Sequence, residues 1–246
     1  MLRNAWKVAA SFAVLAAAAG GVQAGALQLQ VTEGGVPTVV ILDNGVFDTN
    51  AAVGVINVNT SVLNPTLNSF TFTSLSASSN APGSASLATI SLAGTVLRTT
   101  PTFTGPGLGT GAITIDATDV GFTLPASAST LFSSATGNFT STTAGDSETF
   151  RSWYNPSNVI DATVQASPLL TFTSNGTPLN SHSGDASGAI TPATPFGLTD
   201  RITLSMPTVT GTPGQIQFSG STAVPEPAAL GLLLAPLLLT RLRRRV

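Results

Sequence analysis

Residues 201–206, RITLSM, show the pattern from which the fold class can be predicted. Ile202, Leu204 and Met206 alternate with hydroxyl side chains, and a period of two is typical of a strand with one buried and one solvated face. Clusters of Gly, Pro, Asn and Asp separate such segments, as expected for turns. The same alternation recurs at residues 27–31, 70–73, 89–92, 113–116 and 215–218.

The spacing of these segments predicts an all-β domain over residues 25–218. Many short strands with turn residues between them are typical of a β-sandwich, with a β-barrel as the alternative. Residues 175–198 are rich in Gly, Pro, Ser and Thr. This favours a long loop over a domain boundary, because only one or two strands follow. The last strand should end near residue 218, and residues 219–224 should form a Ser/Gly-containing linker.

Composition excludes several classes of protein. Of the 246 residues, 42% are hydrophobic and 8% are charged, whereas charged residues make up about a quarter of an average domain. The absence of cysteine excludes a disulfide framework, thiol catalysis and cysteine-ligated metal. A formal net charge of −2 argues against nucleic acid as a partner, and no motif indicates a cofactor.

The beginning of the chain, residues 1–24, is predicted to be a secretory signal peptide. Arg3 and Lys7 come first, an apolar run follows, and small residues lead to Ala24. This order predicts cleavage between Ala24 and Gly25. An uncleaved anchor is the alternative, but an apolar run of about a dozen residues is short for a membrane span, which needs roughly 20.

The end of the chain, residues 225–246, has three parts. Pro225, Glu226 and Pro227 come first, and the two prolines keep the backbone extended. The apolar segment at 228–240 would reach about 20 Å as a helix, against a hydrocarbon core of about 30 Å, so we expect a weak, temporary anchor. Basic residues then form a cytoplasmic stop, namely Arg241, Arg243, Arg244 and Arg245.

This tail resembles the PEP-CTERM sorting signal of bacterial surface proteins. The resemblance covers only the tail and is carried by Pro225-Glu226-Pro227, the Leu-rich segment and the arginine cluster. It implies recognition by an exosortase, with cleavage near the tripeptide, in a Gram-negative bacterium that makes exopolysaccharide. A permanent membrane anchor with the same tripeptide is the alternative. Because both ends are basic and the middle is not, we expect the secretion machinery to export the middle to the cell surface or beyond.

Titratable side chains give little indication of catalysis. His182 lies in a polar stretch and is expected to be a solvated loop residue, since no Gly-x-Ser-x-Gly elbow accompanies it. Asp116 with Asp119, and Asp146 with Glu148, are carboxylate pairs of the kind that a glycosidase uses. Exposed positions are expected for both pairs, because charged residues are rarely buried.

Two further segments contain possible ligand-binding residues. Asp43, Asn44 and Asp48 surround a glycine and could bind Ca²⁺. A type I′ hairpin turn at Asn44 and the following glycine explains the same residues without a metal, and we expect no metal site. The doublet Trp153-Tyr154 could stack on a sugar ring, but it is as easily part of the core.

Three functions are compatible with these features. The preferred one is a non-enzymatic surface or matrix protein that is processed at its tail and associated with exopolysaccharide. The second is a carbohydrate-binding adhesin, with Trp153, Tyr154 and the Ser/Thr strand faces as its platform. The third is a hydrolase of glycans that uses one of the carboxylate pairs.

Overall fold

Two antiparallel sheets face each other in the computed structural model, which describes residues 26–98, 111–206 and 214–226. One short helix, α1 (Thr60–Leu63), is followed by a 3-10 turn at Asn64–Thr66. The strands are β1 (Gln28–Glu33), β2 (Val39–Leu42), β3 (Val55–Asn57), β4 (Phe70–Ser79), β5 (Leu87–Arg98), β6 (Ala112–Phe122), β7 (Thr130–Thr140), β8 (Ser147–Asn155), β9 (Gln165–Ala166), β10 (Leu170–Thr173), β11 (Leu179–Ala189), β12 (Phe196–Ser205) and β13 (Gln215–Pro225).

The strand order defines a β-sandwich. The seven-stranded sheet has the order β10-β8-β12-β6-β1-β2, with β9 beside β8. The six-stranded sheet has the order β11-β7-β13-β5-β4-β3. The predicted all-β sandwich is therefore confirmed, and the barrel alternative is wrong because the strands form two separate sheets.

The core lies between the sheets and is built from every second residue of each strand. In β12, Leu198, Ile202 and Leu204 are fully buried, whereas Thr203 between them faces outward. Each large apolar side chain buried in this way contributes about 1.5–3 kcal/mol of transfer free energy. In this strand, the alternation of apolar and hydroxyl residues therefore indicates which side chains face the opposite sheet.

The predicted linker at residues 219–224 is wrong, because these residues belong to β13. That strand continues to Pro225 and is paired with β5 on one side and, as far as residue 223, with β7 on the other. Its inward residues Gly220, Thr222 and Val224 are buried against the other sheet. The sandwich therefore extends to the first residue of the proposed sorting motif.

The predicted loop at residues 175–198 is also wrong, because β11 and the start of β12 occupy most of it. β11 is paired with β7 along its whole length, so this stretch is not a domain boundary either. Its inward residues include glycines that allow close approach of the opposite sheet. A Cβ on Gly184 would lie 3.2 Å from the ring of Phe172 in β10.

Several predictions concern residues outside the described ranges. These are the signal peptide at 1–24 with its cleavage site between Ala24 and Gly25, and the tail from Pro227 onward. Within the described ranges, no helix has the length and apolar character needed to cross a membrane.

Candidate functional site

The outer face of the six-stranded sheet carries a groove of about 650 Å³. The groove crosses β4, β5, β13, β7 and β11, and the register of these strands aligns their side chains in rows. One row is Ser74, Thr95, Gln217, Asn138 and Ser181, and the next is Ser76, Ala93, Ser219, Thr136 and Ser183; we call these two rows the polar groove.

Hydrogen bonds orient the amide side chains in the polar groove. Ser181 Oγ donates to Asn138 Oδ1 (2.6 Å), and Asn138 Nδ2 donates to Gln217 Oε1 (3.3 Å). No described residue accepts a hydrogen bond from the side-chain NH₂ of Gln217, which is therefore available to a ligand. Oriented donors and acceptors of this kind match ligands that carry hydroxyl groups.

The polar groove lies on a face that is nearly uncharged. Among the described strands of this sheet, only Asp185 places a charged side chain on the outer face. The one arginine of these strands, Arg98, is 6% exposed. A polyanion would find no cation on this face of the described strands, so the groove favours a neutral ligand.

The outer face of the seven-stranded sheet is different, because it places Trp153 beside two arginines. The guanidinium carbons of Arg151 and Arg201 lie 5.5 and 5.2 Å from the ring centroid. Arg201 also donates from Nε and Nη2 to Asp116 (2.6 and 2.9 Å), and these hydrogen bonds raise the pKa of Arg201. Trp153 is only 7% exposed, so its ring supports the arginines and is not free to stack on a sugar.

The second member of the aromatic doublet, Tyr154, is a core residue. Its ring centroid lies 4.7 Å from that of Phe196, and its hydroxyl group donates to the carbonyl of Ala193 (2.9 Å). Burial raises the pKa of Tyr154. The structure therefore leaves the Ser/Thr strand faces, but not this doublet, as a possible platform for sugars.

The carboxylate pair Asp116 and Asp119 is not exposed, contrary to the prediction. Asp116 points outward from β6 toward Arg201, while Asp119 is 0% exposed and points into the sandwich. Burial raises the pKa of Asp119, and its Oδ1 accepts the backbone N–H of Val120 (2.8 Å). Because the two carboxyl groups lie on opposite faces of one sheet, they cannot act on one bond.

The pair Asp146 and Glu148 is also buried, and Glu148 meets the single histidine of the chain. Glu148 Oε2 lies 3.0 Å from His182 Nε2, so the predicted solvated histidine is wrong. The imidazole stacks on the ring of Phe172 at a centroid distance of 4.3 Å and lies against the tilted ring of Phe139 at 4.8 Å. Burial raises the pKa of Glu148, and the contact with His182 opposes this shift. These groups connect the two sheets and are shielded from solvent.

A further carboxyl group, that of Asp200, is fully buried and is not among the predicted site residues. It is hydrogen-bonded to the hydroxyl group of Thr222, which also contacts the hydroxyl group of Ser152. Burial raises the pKa of Asp200 to about 7. A signal was present in the sequence, because Asp200 alternates in phase with Leu198 and Ile202 and so shares their inward face.

The loop after β2 uses its carboxylates to hold the backbone. Asp48 accepts the backbone N–H groups of Asn44 (3.0 Å) and Asn50 (2.9 Å), and Asp43 accepts that of Gly54 (2.7 Å). The predicted hairpin turn is wrong, because β2 and β3 lie in different sheets. No group of three or more metal-binding side chains occurs in the part of the chain that the structure describes.

Comparisons with known proteins add little to this geometry. No family model and no curated protein matches the chain. Among solved structures, a Stig cyclase, FisC from Fischerella sp. TAU, is similar over 62% of this chain and 75% of its own, with 12% identity and a TM-score of 0.25. A carbohydrate-binding module of the β-sandwich superfamily is similar over 74% of this chain and 64% of its own, with 13% identity and a TM-score of 0.25. At these values neither similarity bears on ligand or activity.

Proposed function

We propose that the chain is an exported, non-enzymatic surface or matrix protein that binds a neutral polysaccharide in the polar groove. The observation that carries this proposal is the pair of aligned rows on an almost uncharged sheet face, in which every side chain except that of Ala93 has a hydroxyl or amide group. A polysaccharide presents hydroxyl groups at regular intervals, and an extended groove across several strands can hydrogen-bond a series of them. Many modest contacts, rather than one deep pocket, would supply the affinity.

The position of the carboxyl groups supports a binding role over hydrolysis. Glycosidases place two carboxyl groups on either side of the scissile bond, roughly 5–10 Å apart. On the described part of the grooved face, Asp185 is the single carboxylate and it lies at the edge. Asp200, the carboxyl group whose pKa burial raises to about 7, is instead enclosed between the sheets.

The binding proposal predicts that a bulky side chain in the middle of the polar groove weakens binding. Ser219 is exposed on the central strand β13, so Ser219→Arg should weaken binding of a soluble neutral glucan at least about tenfold, or about 1.4 kcal/mol. Affinity electrophoresis in gels containing the glucan, or calorimetry, measures the change. Binding by the wild type should depend little on salt, because the groove face is nearly uncharged.

A matched control comes from the opposite sheet. Thr32 is exposed on β1, and Thr32→Arg adds the same side chain outside the groove. This variant should bind like the wild type. The proposal fails if both variants bind equally well, or if the wild type retains a polyanion such as alginate but no neutral glucan.

Export and sorting by the tail form the second part of the proposal. The strand β13 ends at Pro225, opposite Leu87, and the backbone N–H of Glu226 donates to the carbonyl of Ser86 (3.1 Å). The sandwich thus holds the first two residues of the tripeptide. Cleavage on the carboxyl side of Glu226 would release the domain with its last strand complete.

Replacing Pro225, Glu226 and Pro227 by alanine is expected to leave the tail attached, because the processing enzyme would lose its recognition sequence. Mass spectrometry of the mature protein measures the result. The variant should be heavier than the wild type by the mass of the tail, while both begin at Gly25. If both proteins lack the tail, the sorting proposal is wrong.

A further inference from the structure

β11 is an edge strand of the six-stranded sheet, and its backbone directions can be assigned. The N–H of Ile190 donates to the carbonyl of Ser129 (3.0 Å), and the N–H of Ser141 donates to that of Pro178 (3.1 Å). In an antiparallel ladder, such hydrogen-bonded pairs alternate with pairs whose N–H and C=O groups point away. The even-numbered residues of β11 therefore bond to β7, and the odd-numbered ones direct their backbone groups to the free edge.

These outward backbone groups form an open template for a further strand. Ser181, Ser183, Asp185 and Ser187 direct N–H and C=O groups to the edge, and no described residue hydrogen-bonds to them. Their side chains lie on the outer face of the sheet and are exposed. Edge strands are commonly protected by short length, proline or several charges. β11 has only one charge and no proline.

The other edges in the described ranges are short. β2 and β10 have four residues each, β3 has three and β9 has two, whereas β11 has eleven. Four edge strands are thus limited by length, and within the described residues one long edge strand is left open. This contrast singles out β11 as a surface for association.

We propose that β11 pairs antiparallel with β11 of a second copy of this chain, about a two-fold axis at Gly184. This register overlaps the whole strand from residue 179 to residue 189, because Gly184 is its middle residue. It brings outward-directed odd residues opposite each other, so each of these pairs can exchange two hydrogen bonds. Two-fold self-pairing is also the commonest symmetry of soluble oligomers.

The side chains of the outer face are complementary in this register. Ser183 lies opposite Asp185 of the second copy, where a hydroxyl group can donate to a carboxylate, and Ser181 lies opposite the second Ser187. A register shifted to centre on residue 185 would place the two Asp185 carboxylates opposite each other, and directly opposed like charges are destabilising. The full-overlap register is therefore also the one that charge favours.

Pairing in this way would join two six-stranded sheets into one. The polar grooves of both copies reach β11 through Ser181 and Ser183, so they would meet at the junction. This inference concerns self-association and does not depend on polysaccharide binding. Ser219→Arg, which blocks the groove on the central strand, should leave the dimer unchanged.

Charge substitutions at Ser183 test both the interface and its register. Ser183→Lys sets two cations opposite the two Asp185 carboxylates and should tighten the dimer roughly two- to tenfold, while Ser183→Asp should weaken it by a similar factor. Ser183→Pro removes an edge donor but no hydrogen bond to β7, so the monomer should fold and the dimer should weaken at least about tenfold. Sedimentation equilibrium of the full-length chain in density-matched detergent gives the dissociation constants.

Each outcome bears directly on the proposal. Circular dichroism and thermal unfolding at low concentration verify that all three variants are folded, and Ser183→Ala serves as the neutral control. A monomeric wild type overturns the proposal, as does a dimer whose strength is the same in all variants. Equal weakening by lysine and aspartate would also overturn the proposal, because a register that sets Ser183 opposite Asp185 of the second copy requires the two charges to have opposite effects.

Discussion

At pH 8, an Asp200→Asn variant is expected to be more stable than the wild type, with a free energy of unfolding that is higher by about 4 kcal/mol. The pKa of Asp200 is raised from 3.8 to about 7 by burial, and each pKa unit corresponds to about 1.4 kcal/mol. Because the pKa of Asp200 is higher in the folded than in the unfolded chain, its contribution to stability is full below the unfolded value of 3.8. This contribution is lost as the pH rises through the folded value of about 7. Asparagine cannot ionise, so the variant avoids the loss.

A protonated Asp200 can join a chain of hydrogen bonds with two neighbouring hydroxyl groups. The hydroxyl group of Thr222 contacts both Asp200 and the hydroxyl group of Ser152, yet it has only one proton to donate. If Asp200 is protonated, it donates to Thr222, which then donates to Ser152. Ionisation removes one of these donors and leaves a charge between the sheets.

Urea unfolding at pH 4 and pH 8 measures this effect. The two proteins should differ most at pH 8 and much less at pH 4, where Asp200 of the wild type is protonated. Asp161→Asn removes an exposed carboxylate and controls for the change in net charge. A difference between Asp200→Asn and the wild type that does not vary with pH would contradict the prediction.

A chain that ends at Phe218 is expected not to fold, whereas one that ends at Glu226 should fold. The shorter chain loses seven of the eleven residues of β13, including the pairing of residues 219–225 with β5 and of residues 219–223 with β7. It also loses Thr222, the hydrogen-bonding partner of Asp200. An interior strand of a sheet cannot be halved without exposing the backbone groups of both neighbours.

The packing of Gly220 increases the expected loss. A Cβ at this position would lie 2.3 Å from the ring of Phe150, so the ring of the opposite sheet rests directly on the β13 backbone. Removing the strand would leave a cavity beside a fully buried phenylalanine, and such cavities cost several kcal/mol.

Cooperative thermal unfolding and near-ultraviolet circular dichroism distinguish the two chains. The chain ending at Glu226 should show one sharp transition and a fixed aromatic signal from Trp153, which is buried beside two arginines. The chain ending at Phe218 should show neither. A cooperative transition in the shorter chain would mean that residues 219–224 are dispensable, as a linker would be.

The sequence predicts only part of the candidate site. The sequence predicts strand faces that are rich in Ser and Thr. It does not specify the strand register, which places Ser219 beside Thr136 and Ala93 and so forms the polar groove. The aromatic doublet was a weaker guide, because Trp153 and Tyr154 point to opposite faces of β8 and both are buried. Exposure depends on what covers a residue, and sequence spacing does not contain that information.

The alternation of apolar and hydroxyl residues was enough to predict an all-β protein, because a strand with one buried face needs only a local period of two. Only the pairing of the strands shows where that period misleads: β11 has no large apolar inward face, and β13 continues through Ser and Gly residues that are typical of a linker. It also decided the partners of the charges, such as Arg201 with Asp116, which are 85 residues apart. Local sequence does not specify these features, because burial and pairing arise between strands that are distant in the chain and stabilise each other's small and polar residues.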